Sequence, residues 1–411
     1  MVPDLRKIPP ITISAELSLT DVVNTTPPWH DNVTEALQPP EGCLVIPLSV
    51  MSLDNPETLV TQETHQQFKK FVNAYFLWLC FLVSAPTNLI NMAVFWKHGI
   101  KERINLCLFC LSFADLIVIV FQFLTYADMI YAAISRTVYK AVLIQYLTGN
   151  MIIYLPAGFI SLPGFLSTLI AFERCLCVVS TLKAQNVIQI KTIAVVIATG
   201  HVAILAGTYF LVARFRFVCI FDPFTGKSKD GLYHSEFYLK NRELVDIFVG
   251  IVYGIGLPGV YTFSISICTI ITVVKLRRMA EWRKQSSSSA SLSRGMGAVK
   301  DATLTRMLVG TSCVFVVCIT PQFLFHTIIP LEPQLTFGGK YHNTYRLLIV
   351  ALQMCVYVNS TVNFFVCYSF GTRYRQTVRG MFCGWRRNWN RVRMTAGTEF
   401  TTDITISTVT E

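Results

Sequence analysis

Apolar residues fill seven separate stretches of the chain, 71–96, 104–131, 141–179, 192–213, 244–274, 303–329 and 347–370, with polar or charged connectors between them. At about 1.5 Å of rise per helical residue, each is long enough to cross a hydrocarbon core of about 30 Å. The pattern predicts seven transmembrane helices. Their internal prolines, Pro86, Pro156, Pro163, Pro258 and Pro321, are compatible with this, because neighbouring side chains in a bundle can satisfy the backbone carbonyl that each one frees.

The connectors orient the bundle, since short cytoplasmic loops carry an excess of Lys and Arg. Lys97, Lys101 and Arg103 follow the first stretch, Lys275, Arg277, Arg278, Arg283 and Lys284 follow the fifth, and Arg373, Arg375, Arg379, Arg386 and Arg387 follow the seventh. The first seventy residues instead hold nine acids against four bases, with glycosylation sequons at Asn24 and Asn32. The N-terminus is therefore expected outside and the C-terminus in the cytoplasm of a plasma-membrane, multi-pass protein. No basic, apolar, cleavable leader opens the chain, so the first helix is expected to act as its own insertion signal.

Composition agrees: 53% of residues are hydrophobic and 14% charged, too apolar for a water-soluble globule of this size. The net charge of +11 sits in short clusters between apolar runs, not along one face, which argues for membrane topology and against nucleic acid as partner. The expected organisation is an extracellular, largely disordered segment at 1–70, a transmembrane domain at 71–371, a membrane-surface helix at 372–383 and a Thr-rich cytoplasmic tail at 384–411. The Ser-rich connector between the fifth and sixth stretches is expected to be flexible. The fold class is an all-α membrane protein, a seven-transmembrane-helix bundle with a short amphipathic cytoplasmic helix.

Polar residues are expensive in lipid, so those inside the spans point to function or packing. Asn88 lies in the first, Asp115 in the second, Glu173 and Arg174 at the inner end of the third, Pro258 in the fifth, Phe315, Cys318 and Pro321 in the sixth, and Asn359, Ser360 and Asn363 in the seventh. In the order NLINMAVF, NLCLFCLSFADL, STLIAFERCLCVV, FVVCITP and NSTVNFFVCY, over 71–383, this resembles the rhodopsin-like (class A) G protein-coupled receptors. The combinations ERCLCVV, LRRMAEWRK and VNFFVCYSFGTRYRQTV resemble molluscan chemosensory and neuropeptide-type receptors.

Asp115, with Asn88, Asn359, Ser360 and Asn363, can form a hydrated cluster that binds sodium, or stand as a protonated, hydrogen-bonded acid. The helix-three hydroxyl usual on this cluster aligns with Pro163. The resemblance sets Arg174 against Glu173 and Asp301 at rest, in an ionic lock that releases it to a heterotrimeric G protein. It makes Pro258, Phe315, Cys318 and Pro321 a helix hinge, with Ile319 where a bulky aromatic is usual. Ser266 and Cys367 stand where relatives have tyrosines, and Phe364 where they have a proline. No HExxH, GxSxG or phosphate-binding glycine loop suggests an enzyme. A transporter or channel, the reading from another class, usually shows paired interrupted helices or repeat symmetry, and neither is visible here.

An extracellular ligand is expected among Gln122, Tyr126, Gln322, Phe323, His326, Gln353 and Tyr357, polar or aromatic residues of the outer helix halves. No aspartate between 139 and 177 would pair an amine, and Tyr357 stands where an opsin needs lysine. A neuropeptide is favoured by the long second outer loop, 214–243, and the acidic N-terminal segment; a small chemosensory molecule is the alternative. Cys43 and Cys219, the two cysteines expected in the oxidising exterior, either pair or remain free thiols. Phe370, Tyr374, Val378, Met381 and Phe382 form one face of the surface helix, whose arginines face lipid phosphates, and Cys383 is a candidate palmitoylation site. Phosphorylation of Thr398, Thr401, Thr402 and Thr405 by a receptor kinase would recruit arrestin. No cofactor is expected apart from the possible sodium ion; other metal is not expected.

Overall fold

The computed structural model describes residues 43–45, 59–126, 152–179, 189–222, 227–286, 292–335 and 339–382. Asn24, Asn32, Cys383 and the tail threonines lie outside the described residues, as do the side chains of Tyr126 and Asp301. Seven described helices are long and apolar enough to cross a membrane.

The first, α1, runs Gln62–His98, nine residues ahead of the expected apolar start. Thr61 explains the extension: in extended conformation, its hydroxyl accepts the Thr64 backbone N–H at 3.2 Å, and Glu63 follows in the first turn. Residues 62–70, expected to be disordered, are therefore helical. A π-helical turn, Val72–Phe76, interrupts α1. The helix ends at Gly99, whose φ of 100° is open to glycine, and whose N–H reaches the Trp96 carbonyl at 3.0 Å. The turn into α2 (Arg103–Tyr126) is held by Asn105, whose amide donates to the Gly99 carbonyl at 3.1 Å and to Glu102 at 2.9 Å.

α3 (Ile152–Val179) and α4 (Ile190–Val212) follow. α5 comprises Arg242–Asp246, a π-helical segment Ile247–Gly256, and Leu257–Ser286. Pro258 stands just after the wide segment; it has no N–H to donate and its ring crowds the preceding turn, which accounts for the departure from α geometry there. α6 (Leu292–Ile328) and α7 (His342–Phe370) complete the bundle, and α8 occupies residues 372–382. The start of α6 corrects the expected flexible connector, since residues 292–302 are helical; between α5 and α6, residues 287–291 lie outside the described residues.

α3 is central, packing on α2, α4, α5 and α6, while α7 closes the ring against α1 and α6. The inner core joins Val94, Leu108, Leu111, Leu166, Ile170 and Leu308, and Tyr374 and Val378 bring α8 into it. Large apolar side chains such as Leu82, Val202, Ile270 and Val317 lie on the outside of the bundle, whereas Asn88, Asp115 and Ser360 are buried within it. That inversion of the soluble pattern is what lipid as solvent demands.

One region departs from the all-α expectation. Within the loop 214–243, β2 (Phe215–Asp222) pairs antiparallel with β3 (Lys227–His234), and β1 (Leu44–Val45) adds in parallel to β2. The run FRFVCIFD, rich in aromatic and β-branched residues, carries the strand signal that a reading centred on membrane spans passes over. Cys43 is bonded to Cys219, Cα to Cα 4.5 Å apart, which ties β1 to the hairpin. The hairpin is anchored at its foot: Ser235 donates its hydroxyl to the Ala213 carbonyl, and Tyr238 donates to Asp246 on α5 at 3.0 and 3.1 Å. Arg214 pairs with the same carboxylate at 3.1 Å and lies 5.0 Å from the centre of the Tyr238 ring. Burial and the neighbouring Arg214 hold the His234 imidazole below its ordinary pKa.

Replacing Cys43 and Cys219 with serine should release β1 from the hairpin while leaving the seven helices folded. The check is faster proteolysis of the first sixty residues with an unchanged far-ultraviolet helical signal. Equal proteolysis rates would show that the bond does not hold the segment.

Candidate functional site

Two features of the bundle interior can carry a signal, a buried polar chain and an arginine at the C-terminal end of α3. α2 places Asp115 at 0% exposure in mid-bundle. Ser360 and Asn363, three residues apart and so on one face of α7, both turn to it. Ser360 donates its hydroxyl to Oδ1 at 3.2 Å and Asn363 its amide to Oδ2 at 2.7 Å.

Asn88 does not reach the carboxylate. Its amide donates to the Ser360 carbonyl at 2.8 Å and to the Ser84 carbonyl and hydroxyl at 3.1 and 3.0 Å, while Ser84 donates to the same Ser360 carbonyl at 3.0 Å. Further toward the C-terminal end of α1, the Asn91 amide reaches Asn88 at 3.5 Å and the Tyr374 hydroxyl of α8 donates to Asn91. A further pair, His98 with Thr377 at 2.9 Å, joins α1 to α8. Ser84, Asn91 and Tyr374 are additions to the expected cluster. Ser84, Asn88 and Asn91 follow helical spacing, a polar stripe legible in an otherwise apolar helix; Tyr374 appears in sequence only as one more residue of the apolar face of α8. Tyr374→Phe removes one buried hydrogen bond and should lower stability by about 0.5–1.5 kcal/mol, read as a fall in the melting temperature of the purified receptor.

Asn359 stands apart from the carboxylate. It lines a narrow cavity with Val118, Pro163, Phe315, Cys318 and Ser360, with room for little more than one ordered water. Sodium fits the carboxylate poorly: Asn363 presents its nitrogen, Pro163 brings no side-chain oxygen, and Asp115 and Ser360 alone supply too few oxygen donors. Among the described residues, no group of three or more His, Cys, Asp or Glu converges to hold a metal.

At the C-terminal end of α3, Glu173 is 1% exposed. Arg174 grips it with two bonds, Nε to Oε2 at 2.6 Å and Nη2 to Oε1 at 3.1 Å, the bidentate geometry that makes Arg–carboxylate pairs strong. Cys177 donates its thiol to Oε1 at 3.4 Å, and Arg103 at the start of α2 approaches it at 3.9 Å. Arg103 was expected only as a loop cation; the fold makes it a second positive neighbour of the lock. Asp301 lies on α6, its side chain outside the described residues.

The hinge residues separate. Phe315 is buried against Ala171 of α3 and Tyr261 and Ile265 of α5, so Tyr261, one turn after Pro258, supplies an aromatic contact that the sequence reading missed. Cys318 faces the cavity, whereas Pro321 is exposed on the outside of α6. Cys367 is packed in the inner core, and Phe364 stacks on Tyr368 with ring centres 5.8 Å apart.

The residues expected to line one ligand pocket are instead distributed over different seams. Tyr357 is fully buried beside Phe76 of α1, ring centres 6.4 Å apart, among side chains of α1, α2 and α7. Phe323 packs edge-on to Phe263 of α5 at 5.8 Å, and His326 lies against Gly254 of α5. Gln122 is buried on α2, and Gln322 and Gln353 are partly exposed on α6 and α7. The reason is helical phase: Phe323 and His326 share a face of α6 that α5 covers, and Tyr357 shares its face of α7 with Ser360, which α1 and α2 cover.

A comparison with curated proteins finds no match. The model of the serpentine type 7TM GPCR chemoreceptor Srw family matches residues 72–385, from the first span to just beyond α8; with its seven membrane-spanning helices, the chain belongs to that family, and is a multi-pass G protein-coupled receptor and not an enzyme.

Proposed function

We propose that the receptor is chemosensory, answering a small extracellular molecule by activating a heterotrimeric G protein. The observation that carries this is the pairing of a chemoreceptor-family bundle with a continuous buried polar chain from Asp115 to α8. A ligand that shifts α7 relative to α2 alters the Ser360 and Asn363 bonds, and the bundle then repacks between two arrangements, one holding Arg174 on Glu173 and one freeing it for the G protein. Such a ligand needs different affinities for the two arrangements, since equal affinity shifts nothing.

The N-terminus outside, glycans at Asn24 and Asn32, an α8 seated on the inner leaflet with Cys383 lipidated, and arrestin recruited to a phosphorylated tail belong to the same reading. So does the closer likeness to rhodopsin-like receptors. The peptide alternative is favoured by one feature, the disulfide-tied sheet of β1, β2 and β3, whose strand edges can take up an extended chain.

The test is to express the full chain with a promiscuous G protein and a calcium reporter, and to challenge it with a library of small odorants and metabolites and, in parallel, with a peptide library. Activation by members of the first set alone supports the proposal. Activation by peptides at nanomolar concentration, with none of the small molecules active, overturns it.

A further inference from the structure

The outer ends of α1 and α7 bring together polar groups that the polar chain and the lock do not use. Both helices are odd-numbered crossings and run in the same direction, and they pack through Phe68 and Val72 against Val350. His65 stands three residues before Phe68 and Arg346 four before Val350, so each lies one turn outward of the same contact. His342 follows one turn further out. The Arg346 guanidinium lies close enough for its charge to bear on both His65 and His342, and the Lys69 ammonium also bears on His65.

No carboxylate pairs with the partly buried Arg346 among the described residues. Glu63, on the outermost turn of α1, instead accepts from Gln67 at 3.0 Å. The seam also holds unused hydrogen-bonding capacity in buried side chains. His65 is 1% exposed with Nδ1 unbonded, and Asn73, two turns deeper on α1, is 6% exposed with both amide atoms unbonded. Native interiors rarely leave such groups without partners, and a desolvated cation without a counter-charge is costly.

We propose that the α1–α7 seam binds the carboxylate of a small organic acid, with Arg346 as the charged fork and His65 and His342 as hydrogen-bonding partners. A carboxylate matches the guanidinium in planar shape and in charge. Occupancy has a route inward, because Arg346, Val350, Tyr357 and Ser360 follow one face of α7, and Ser360 bonds Asp115. This inference rests on the small-molecule reading above and assigns its ligand class.

The experiment uses the purified full-length receptor and follows thermal unfolding with acetate, butyrate, hexanoate, benzoate and succinate, their methyl esters, chloride and inorganic phosphate, for wild type, R346Q and H65Q. One or more carboxylates should raise the melting temperature of wild type, the matching ester should not, and R346Q should need on the order of tenfold more of the acid for the same shift. Without ligand, R346Q should be at least as stable as wild type, because it sheds an uncompensated charge; H65Q should weaken the shift while keeping the cation. The proposal is overturned if no carboxylate shifts wild type more than R346Q, if acid and ester act alike, or if chloride or phosphate matches the carboxylates at equal concentration. A G-protein reporter separates the two readings. Binding without signalling would sink the small-molecule receptor reading and leave the site standing, whereas equal activation of wild type and R346Q would sink the site.

Discussion

An Arg174→Ala receptor should reach the cell surface, bind its ligand with near-native affinity and fail to activate its G protein. The residue lies at the C-terminal end of α3, at the opposite end of the bundle from the proposed ligand seam, so its loss should not disturb ligand contacts. Glu173 keeps Arg103 at 3.9 Å and the Cys177 thiol at 3.4 Å, so its carboxylate stays partnered, which preserves folding. Glu173→Gln tests the opposite half of the lock. It removes the charge from a two-bond contact, and hydrogen bonds to charged groups contribute about 1.5–3 kcal/mol, which corresponds to roughly a ten- to hundredfold shift toward the signalling arrangement. Asp301→Ala tests the partner that only the receptor resemblance implies; it should act in the same direction but more weakly, by about 0.2–1 kcal/mol, the usual contribution of a single ion pair near water, or roughly 1.4- to 5-fold. Basal reporter activity at matched surface expression is the measurement. An Arg174→Ala receptor that signals normally would end the idea that this side chain makes the coupling contact.

Asp115→Ala should be the most damaging single change inside the membrane. It removes the acceptor for both Ser360 and Asn363, which are 1% and 7% exposed inside the bundle. Leaving a buried donor unsatisfied costs about 1–3 kcal/mol each, enough to lower the melting temperature of the purified receptor by several degrees and to blunt the ligand response. Asp115→Asn discriminates packing from charge: it keeps the volume but sets an amide donor where a carboxylate oxygen accepted. A double-mutant cycle of Asp115→Ala with Asn363→Ala should return a coupling energy well above zero, and additivity within error would show that the 2.7 Å contact carries no energy.

Several of these residues could be read from the sequence because lipid makes polarity conspicuous. A carboxylate at 115, amides at 88 and 363 and a Glu-Arg pair at 173 and 174 stand out in apolar runs, and their roles follow from the cost of placing them there. The helix ends were less legible. Thr61 caps α1 within a stretch too polar to count as a span, and α6 begins in a Ser-rich connector, so a search for apolar length stops short of both. The β2–β3 hairpin escaped for a similar reason, since eight residues rich in aromatic and β-branched side chains in a loop are outweighed by the spans around them.

The sequence by itself determined that the chain crosses the membrane seven times and which polar residues are committed to its interior. Only the tertiary structure decided which faces meet: that Tyr357 closes on α1 and α2 and not on a central pocket, that Phe323 turns to α5, that Arg103 shares Glu173, and that Tyr374 reaches back from α8 to Asn91. The physical reason lies in the solvent. A soluble helix advertises its buried face by being polar on the other, but lipid tails are as apolar as leucine. A spanning helix is therefore apolar all round, and its inward face is fixed by how side chains interlock across the seams and by where the few buried hydrogen-bonding groups find their partners.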